Sequence, residues 1–244
     1  FFEDVRIGKE VLAGTTDAYR KLRNTFRYLL GALGDFSEAE KVAQNEMPEL
    51  ERWVLHRLAE LDSELRTAAE GFEFNRYMRA ITTFANDDLS AFFFDIRKDS
   101  LYCDAPASLK RRAYRTVLDI VFEALVRWAS PILCFTAEEV WASRYPEAGS
   151  VHLETWAEID AGWRDEALAA KWAAVREVRS LAFNALERAR NEKLIRSGLE
   201  AALRIEVMND HHWQAVRQET PARLAETFIV SSVEVVENVQ PMGG

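Results

Sequence analysis

The side chains best suited to chemistry in this chain are cations set at helical spacing. Arg20, Arg23 and Arg27 recur every three or four positions, with Lys21 and Asn24 beside them, so a helix would carry all five on one side. Guanidinium and ammonium groups in such a row suit the phosphates of an anionic polymer. Because the chain as a whole is acidic, with a formal net charge of −9, we interpret this basic stripe as a surface for RNA.

Three further groups of cations are weaker candidates for the same role. The group that begins at Lys110 lies at a predicted helix start, where the macrodipole disfavours each exposed cation by about 0.3–1 kcal/mol. A bound anion would explain why cations occur at this unfavourable position. Helix surfaces often carry Lys and Arg beside acids, however, and a merely solvated surface stays open for each group. The groups are Arg97 and Lys98, next to Tyr102; Lys110, Arg111, Arg112 and Arg115; and Arg190, Lys193 and Arg196.

Enzyme motifs are missing from the sequence. It contains no phosphate-binding loop of the Gly-x-x-x-x-Gly-Lys-Ser/Thr type, no dinucleotide-binding glycine pattern and no Gly-x-Ser-x-Gly elbow. The adjacent His211 and His212 have no cysteine or carboxylate at ligand spacing, so solvation explains them better than a metal. Glu138 and Glu139 resemble paired catalytic acids, but acids in a first helical turn are stabilised by the macrodipole. We predict no catalytic residue and no metal site.

Composition describes an ordinary globular protein rather than a membrane or disulfide-rich one. Hydrophobic residues make up 48% and charged residues 29%, and no apolar run approaches the about 20 residues that span a bilayer. Cys103 and Cys134 lie far apart and form no disulfide framework, so we expect a reducing, cytoplasmic setting. The acidic net charge argues against a duplex-DNA partner, and a monomer is the default expectation.

Apolar residues at the 3.6-residue period predict the helices that must position these side chains. Pro131 should break the fourth of them after Ala129, with Thr136 capping the restart and Glu139 three residues on. The predicted helices cover residues 9–33, 48–71, 73–94 (with 95–104 ending or extending it), 106–145 and 165–192.

The pattern changes after Gly198 from helical to alternating. It predicts a strand over 199–207, a short helix over 212–218 and a β-rich tail over 228–239, besides a short β-like segment over 150–155. The expected fold is therefore mainly α: a helical-bundle domain over 1–196 followed by a small α/β subdomain over 197–244.

Several segments resemble, in the same order, the isoleucyl-tRNA synthetase family. The block PILCFTAEEVW is shared with the valyl and leucyl relatives and is typical of the class Ia group, whereas FDIRKDSLY resembles the isoleucine members. The similar segments are residues 5–30, 50–53, 77–90, 94–102, 124–128, 130–133 with 135–141, 150–153 and 189–195.

This resemblance implies an anticodon-binding region excised from a longer enzyme. A full-length member attaches isoleucine to its tRNA with ATP and Mg²⁺, edits mischarged valine, and often ends in a cysteine-rich zinc module. The two ATP-handling signatures and the zinc cysteines are absent from these 244 residues. We therefore expect the chain alone to need no cofactor, to bind neither ATP nor isoleucine, and to be inactive as a ligase.

The expected partner is isoleucine tRNA, gripped mainly by its phosphates. The preferred contacts are Arg20, Lys21, Arg23 and Arg27, with a hydrogen bond from Asn24; the second choices are Arg97, Lys98, Arg190, Lys193 and Arg196. Two alternatives stay open. One is the anticodon domain of a valyl or leucyl relative, and the other is a helical scaffold that binds a protein through residues 92–94 or the tail strand 228–239.

Overall fold

A computed structural model describes residues 7–237 of the chain. It contains two compact units that divide between Arg164 and Asp165, and each is described by itself below. Residues 5 and 6 of the first similar segment, and the last two residues of the predicted tail strand, lie outside the described part. The mainly α class with a small α/β part is confirmed, and no described helix has the length and apolarity to cross a membrane.

The first unit is built from long helices, as the apolar period predicts. Its elements are α1 (Lys9–Ala32), α2 (Glu49–Glu70), α3 (Phe74–Thr83), a π-helical segment (Phe84–Phe94), α4 (Asp95–Cys103), α5 (Leu109–Ala129) and α6 (Cys134–Arg144). Short 3₁₀ turns at Glu38–Glu40, Gln44–Glu46, Val151–Leu153 and Ala161–Trp163 join or follow them.

Helix α5 is the central element of this unit. Tyr114, Phe122 and Trp128 are completely buried, and buried residues occur all round the helix between Ala113 and Ala129. A helix that is buried on every side lies inside the protein. The other helices therefore pack around α5, and α1 and α6 both contact it.

The predicted third helix continues without a break into α4 through the π-helical segment. A π-helix widens the backbone turn and is rare at this length. Here it presents three consecutive phenylalanines to the core: the Phe92 ring meets Trp53 edge-on at 5.2 Å, Phe93 meets Tyr114 at 4.8 Å, and Phe94 stacks on Tyr28 at 4.3 Å.

The break at Pro131 is confirmed, but the expected cap after it is wrong. Helix α6 begins at Cys134, and its N-cap Leu133 offers no side-chain hydrogen bond. Thr136 lies inside the helix and exchanges a hydrogen bond of 2.9 Å with the hydroxyl of Tyr19 instead. The predicted β-like segment over 150–155 is also wrong, because Val151–Leu153 form a 3₁₀ turn capped by Ser150.

The second unit joins a long helix to a two-stranded sheet. Helix α7 (Glu166–Asn191) is capped by Asp165, whose carboxylate accepts from the Leu168 amide at 2.9 Å. The rest comprises β1 (Ala202–Val207), α8 (Asp210–Val216), α9 (Pro221–Phe228) and β2 (Ser232–Glu237). The strands pair in parallel from Ala202 with Ser232 to Val207 with Glu237, which requires the intervening crossover.

Two features of this second unit were not foreseen. Helix α9 lies between the predicted short helix and the predicted tail strand and includes Phe228, the first residue of that strand; Thr220 caps it by accepting from the Arg223 amide, with Pro221 at the first helical position. Helix α7 packs on α8 and α9, so the contact units divide before α7 rather than after residue 196. The domain boundary at residues 196 and 197 stays a prediction based on the change of sequence period.

Candidate functional site

Helix α1 separates an apolar side from the basic stripe, which consists of Arg20, Lys21, Arg23, Asn24 and Arg27. Leu22, Phe26 and Leu29 are buried against the bundle. All five members of the stripe are exposed. The burial of the apolar side fixes the rotation of α1, so the cations project into solvent as the spacing predicts.

One acid partly neutralises the beginning of the stripe. The Asp17 carboxylate accepts hydrogen bonds from Arg20 at 2.6 Å and contacts the Lys21 ammonium at 2.9 Å. Hydrogen bonds from Arg20 and then Lys21 hold the pKa of the Asp17 carboxyl below its ordinary value. The exposed pairs contribute little to stability, so a phosphate can compete for both cations.

A second acid comes from α6, which lies alongside α1. The Arg23 guanidinium donates to both carboxylate oxygens of Glu139 at 3.2 and 3.3 Å. The hydrogen bond between Tyr19 and Thr136, one turn earlier on each helix, sets this alignment. The sequence predicts Glu139 at a helix start but does not reveal its contact with the stripe, because no local pattern connects residues 116 positions apart.

Arg27 and Asn24 are the open members of the stripe. Among residues 7–237, Arg27 has no carboxylate partner and Asn24 no hydrogen-bond partner, and both are exposed. They lie on a groove of about 220 Å³ between α1 and α6. The groove is lined by Arg23, Asn24, Arg27, Leu30, Glu139, Val140 and Ser143. Within the described range 7–237, four cations in the stripe against the carboxylates of Asp17 and Glu139 leave two positive charges without an acidic partner.

Arg97 does not lie on a surface that RNA can reach, so we remove it from the predicted contacts. Its side chain is 6% exposed and donates to both carboxylate oxygens of Glu51, at 2.6 and 2.9 Å, and the Glu51 side chain is fully buried. The pair ties α4 to the start of α2. Lys98, the next residue, is exposed and pairs with Asp95 at 2.8 Å.

The cations at the start of α5 also have a structural role. Arg111 donates to the Leu101 carbonyl, and Arg112 donates to three consecutive carbonyls from Ala39 to Lys41. Arg115 is buried and donates to the Ala32 carbonyl and the carboxylates of Glu40 and Asp35. The bonds of Arg112 and Arg115 anchor residues 32–41 after α1, and that of Arg111 anchors the end of α4. The positions of these three arginines at the start of α5 are therefore explained by their structural bonds rather than by a ligand.

The second unit carries the remaining predicted contacts on its own surface. Arg190 pairs with Glu187 one turn earlier on α7. Lys193 is exposed and has a left-handed backbone with φ of 60°. Arg196 is exposed, and its backbone amide donates to Glu200 at 2.9 Å. All three follow or end α7, where cations suit the helix dipole.

The protein-docking alternative loses one of its two predicted surfaces. Phe92, Phe93 and Phe94 are at most 5% exposed, so residues 92–94 belong to the core and the expectation that they bind a partner is wrong. The exposed large apolar residues of this unit include Phe135 and Leu153 instead.

Residues 51–207 match the model of the anticodon-binding domain of tRNA ligases. The chain belongs to this family. The matched range starts inside α2, so it does not include α1 and the basic stripe. These residues are matched instead in alignments with single proteins that extend over the whole chain.

Those matches are isoleucine–tRNA ligases, and they confirm the resemblance to the isoleucine members. The protein of Agrobacterium fabrum is 48% identical over 244 residues, all of this chain and 25% of that protein. The protein of Zymomonas mobilis is 60% identical over 210 residues, which are 84% of this chain and 22% of that protein. The protein of Caulobacter vibrioides is 54% identical over 201 residues, which are 82% of this chain and 21% of that protein. The chain thus spans a quarter or less of these relatives.

Proposed function

We propose that this chain is the module by which an isoleucine–tRNA ligase holds the anticodon arm of its tRNA. The observation that carries the proposal is the pair Arg27 and Asn24, exposed and unpartnered among residues 7–237, on a helix whose opposite side is locked into the bundle. The stripe keeps two positive charges that no acid of the described residues neutralises, in a protein whose net charge is −9. A polyanion would therefore bind at this surface and be repelled by most of the rest of the protein.

The proposed contacts with the tRNA are of two kinds, to phosphates and to bases. Arg20, Lys21, Arg23 and Arg27 neutralise phosphates of the arm, and Asn24 donates a hydrogen bond to a phosphate or sugar oxygen. Loop bases of RNA are unstacked and can be read by hydrogen bonding and stacking. Lys98 in the first unit and Arg190, Lys193 and Arg196 in the second are further proposed phosphate contacts.

The activity of the whole protein is part of the proposal. A longer enzyme would join isoleucine to its tRNA at the expense of ATP, with Mg²⁺ and often a zinc module in its other domains. The 244 residues themselves carry no ATP-handling signature. We infer that they contribute RNA binding and no catalytic group, and ATP–pyrophosphate exchange by this chain alone would contradict that inference.

The test is the salt dependence of binding to the anticodon stem-loop of isoleucine tRNA, with the valine stem-loop as a specificity reference. Each phosphate contact contributes about 0.7 to 0.9 to the slope of log K against log salt. The double variant Arg23→Ala/Arg27→Ala should therefore lower the slope by about 1.4 to 1.8. The same slope in wild type and double variant would remove the stripe from the interface.

Arg76→Ala is the matched control for this measurement. Arg76 lies on α3 and is 49% exposed, close to the 54% of Arg23, and it also pairs with acids, Glu64 and Glu73. Its loss should leave the slope unchanged. A uniform fall of the slope in both variants would show that net charge, rather than the position of the stripe, governs binding.

A further inference from the structure

The paired acids Glu138 and Glu139 have separate environments, and only the first has a structural task. The Glu138 carboxylate accepts from the Ser150 hydroxyl at 2.9 Å and from the Val151 amide at 3.1 Å, which fixes the 3₁₀ turn beside α6. Glu139 is 62% exposed and faces the groove between α1 and α6. Its contact there is the exposed pair with Arg23, which contributes little to stability.

A carboxylate is the wrong group for a phosphate site. Next to an RNA backbone, Glu139 would repel the phosphates that Arg23 and Arg27 attract. Carboxylates on nucleic-acid surfaces accept hydrogen bonds from base N–H groups instead. Glu139 therefore indicates that the groove is suited to a base rather than a phosphate.

The other lining groups narrow the choice of base. Arg27 and Asn24 offer N–H donors from the α1 side, and Leu30 and Val140 offer apolar contact to a ring face. Guanine has two N–H donors side by side, N1–H and N2–H, which match the two oxygens of one carboxylate. It also has the O6 and N7 acceptors that arginine binds in bidentate fashion. Adenine and cytosine each present only one amino donor group.

We propose that the groove binds one unpaired guanine of the RNA, with Glu139 accepting from N1–H and N2–H and Arg27 donating to O6 and N7. Its volume of about 220 Å³ is below the about 300–1,000 Å³ of pockets for drug-sized ligands and suits one base. Arg23 leaves Glu139 as the base enters and turns to a neighbouring phosphate, whereas Arg27 contacts the base in place of a phosphate. With this site occupied, Arg23→Ala/Arg27→Ala should therefore lower the salt slope by about 0.7 to 0.9, the share of one phosphate contact, instead of about 1.4 to 1.8. This proposal rests on the proposed function, because it supposes an RNA on the stripe.

The sign of one substitution separates the proposal from an ordinary surface acid. If Glu139 only neutralises Arg23, Glu139→Ala frees a cation and tightens RNA binding. If Glu139 reads a guanine, the same change weakens binding about tenfold, the effect of losing hydrogen bonds to a charged group. Asp17→Asn is the control, since Asp17 pairs with the stripe but does not line the groove, and it should tighten binding.

The complete test replaces each unpaired guanosine of the isoleucine stem-loop singly by inosine, which lacks the 2-amino group. With the wild-type chain, one position should lose affinity about tenfold, and with Glu139→Ala that loss should fall below about twofold. Less than a twofold effect at every position, or tighter binding by Glu139→Ala, overturns the guanine site. If the guanine site is overturned but Arg27→Ala still lowers the salt slope, the proposed function stands. Absence of salt-sensitive RNA binding overturns both the guanine site and the proposed function.

Discussion

Replacement of Arg97 distinguishes most clearly between the role that the sequence predicts and the role that the structure assigns. The Arg97→Met change leaves the fully buried Glu51 carboxylate without its bidentate donor. Removing one partner of a buried pair typically lowers the free energy of unfolding by about 3–5 kcal/mol. For a unit of this size, each 1 kcal/mol shifts Tm by about 2–4 °C, so we expect a fall of about 6–20 °C.

The assay combines thermal unfolding, followed by circular dichroism, with the salt slope of stem-loop binding below the transition. Arg97→Met should lower Tm and leave the slope unchanged, and Arg97→Met/Glu51→Leu should recover most of the stability, because two apolar residues replace the pair. Lys98→Met is the exposed control and should leave Tm within about 2 °C. An Arg97→Met protein with wild-type Tm and a slope reduced by one phosphate contact would refute this reasoning.

Three other changes have defined outcomes. Asp17→Asn should raise RNA affinity up to about fivefold in filter binding, because it frees Arg20 and Lys21 from their acidic partner. The affinity of the wild type should approach that of the variant as pH falls through the lowered pKa of Asp17. Weaker binding by the variant would contradict this. Gly198→Ala should lose about 1–3 kcal/mol in urea unfolding, because a Cβ would lie 2.6 Å from the Ile229 carbonyl oxygen, whereas Gly14→Ala, with open space around it, should not destabilise. Phe93→Ala should lose about 3–5 kcal/mol, and a smaller loss would mean that the core collapses around the gap.

The long helices were predictable because burial of an apolar side repeats with the helical period. Helix α2 is expected over 48–71 and observed at Glu49–Glu70, and α7 is expected over 165–192 and observed at Glu166–Asn191. The basic stripe was predictable for the same reason. Once Leu22, Thr25 and Phe26 face the core, Arg23, Asn24 and Arg27 must face solvent.

The partners of individual cations were not predictable, because they come from distant parts of the chain. Arg97 meets Glu51 across 46 positions, and Arg115 meets Asp35 across 80. The sequence shows these arginines only as members of basic clusters. Local spacing cannot distinguish an arginine in a buried charge pair from an arginine free in solvent. Likewise, the role of Glu139 depends on its contact with α1, which the sequence around Glu139 does not show.

The most direct test of the account is a photo-cross-link from the stripe itself. Benzoylphenylalanine replaces Asn24, which is exposed and without a hydrogen-bond partner in the described part of the chain, and in a second variant it replaces Asn75, an exposed asparagine on α3. Irradiation with full-length isoleucine tRNA should cross-link position 24 to nucleotides of the anticodon arm and leave position 75 unlinked. Equal yields from the two positions, or cross-links from position 24 only to the acceptor arm, would contradict the claim that α1 holds the anticodon arm.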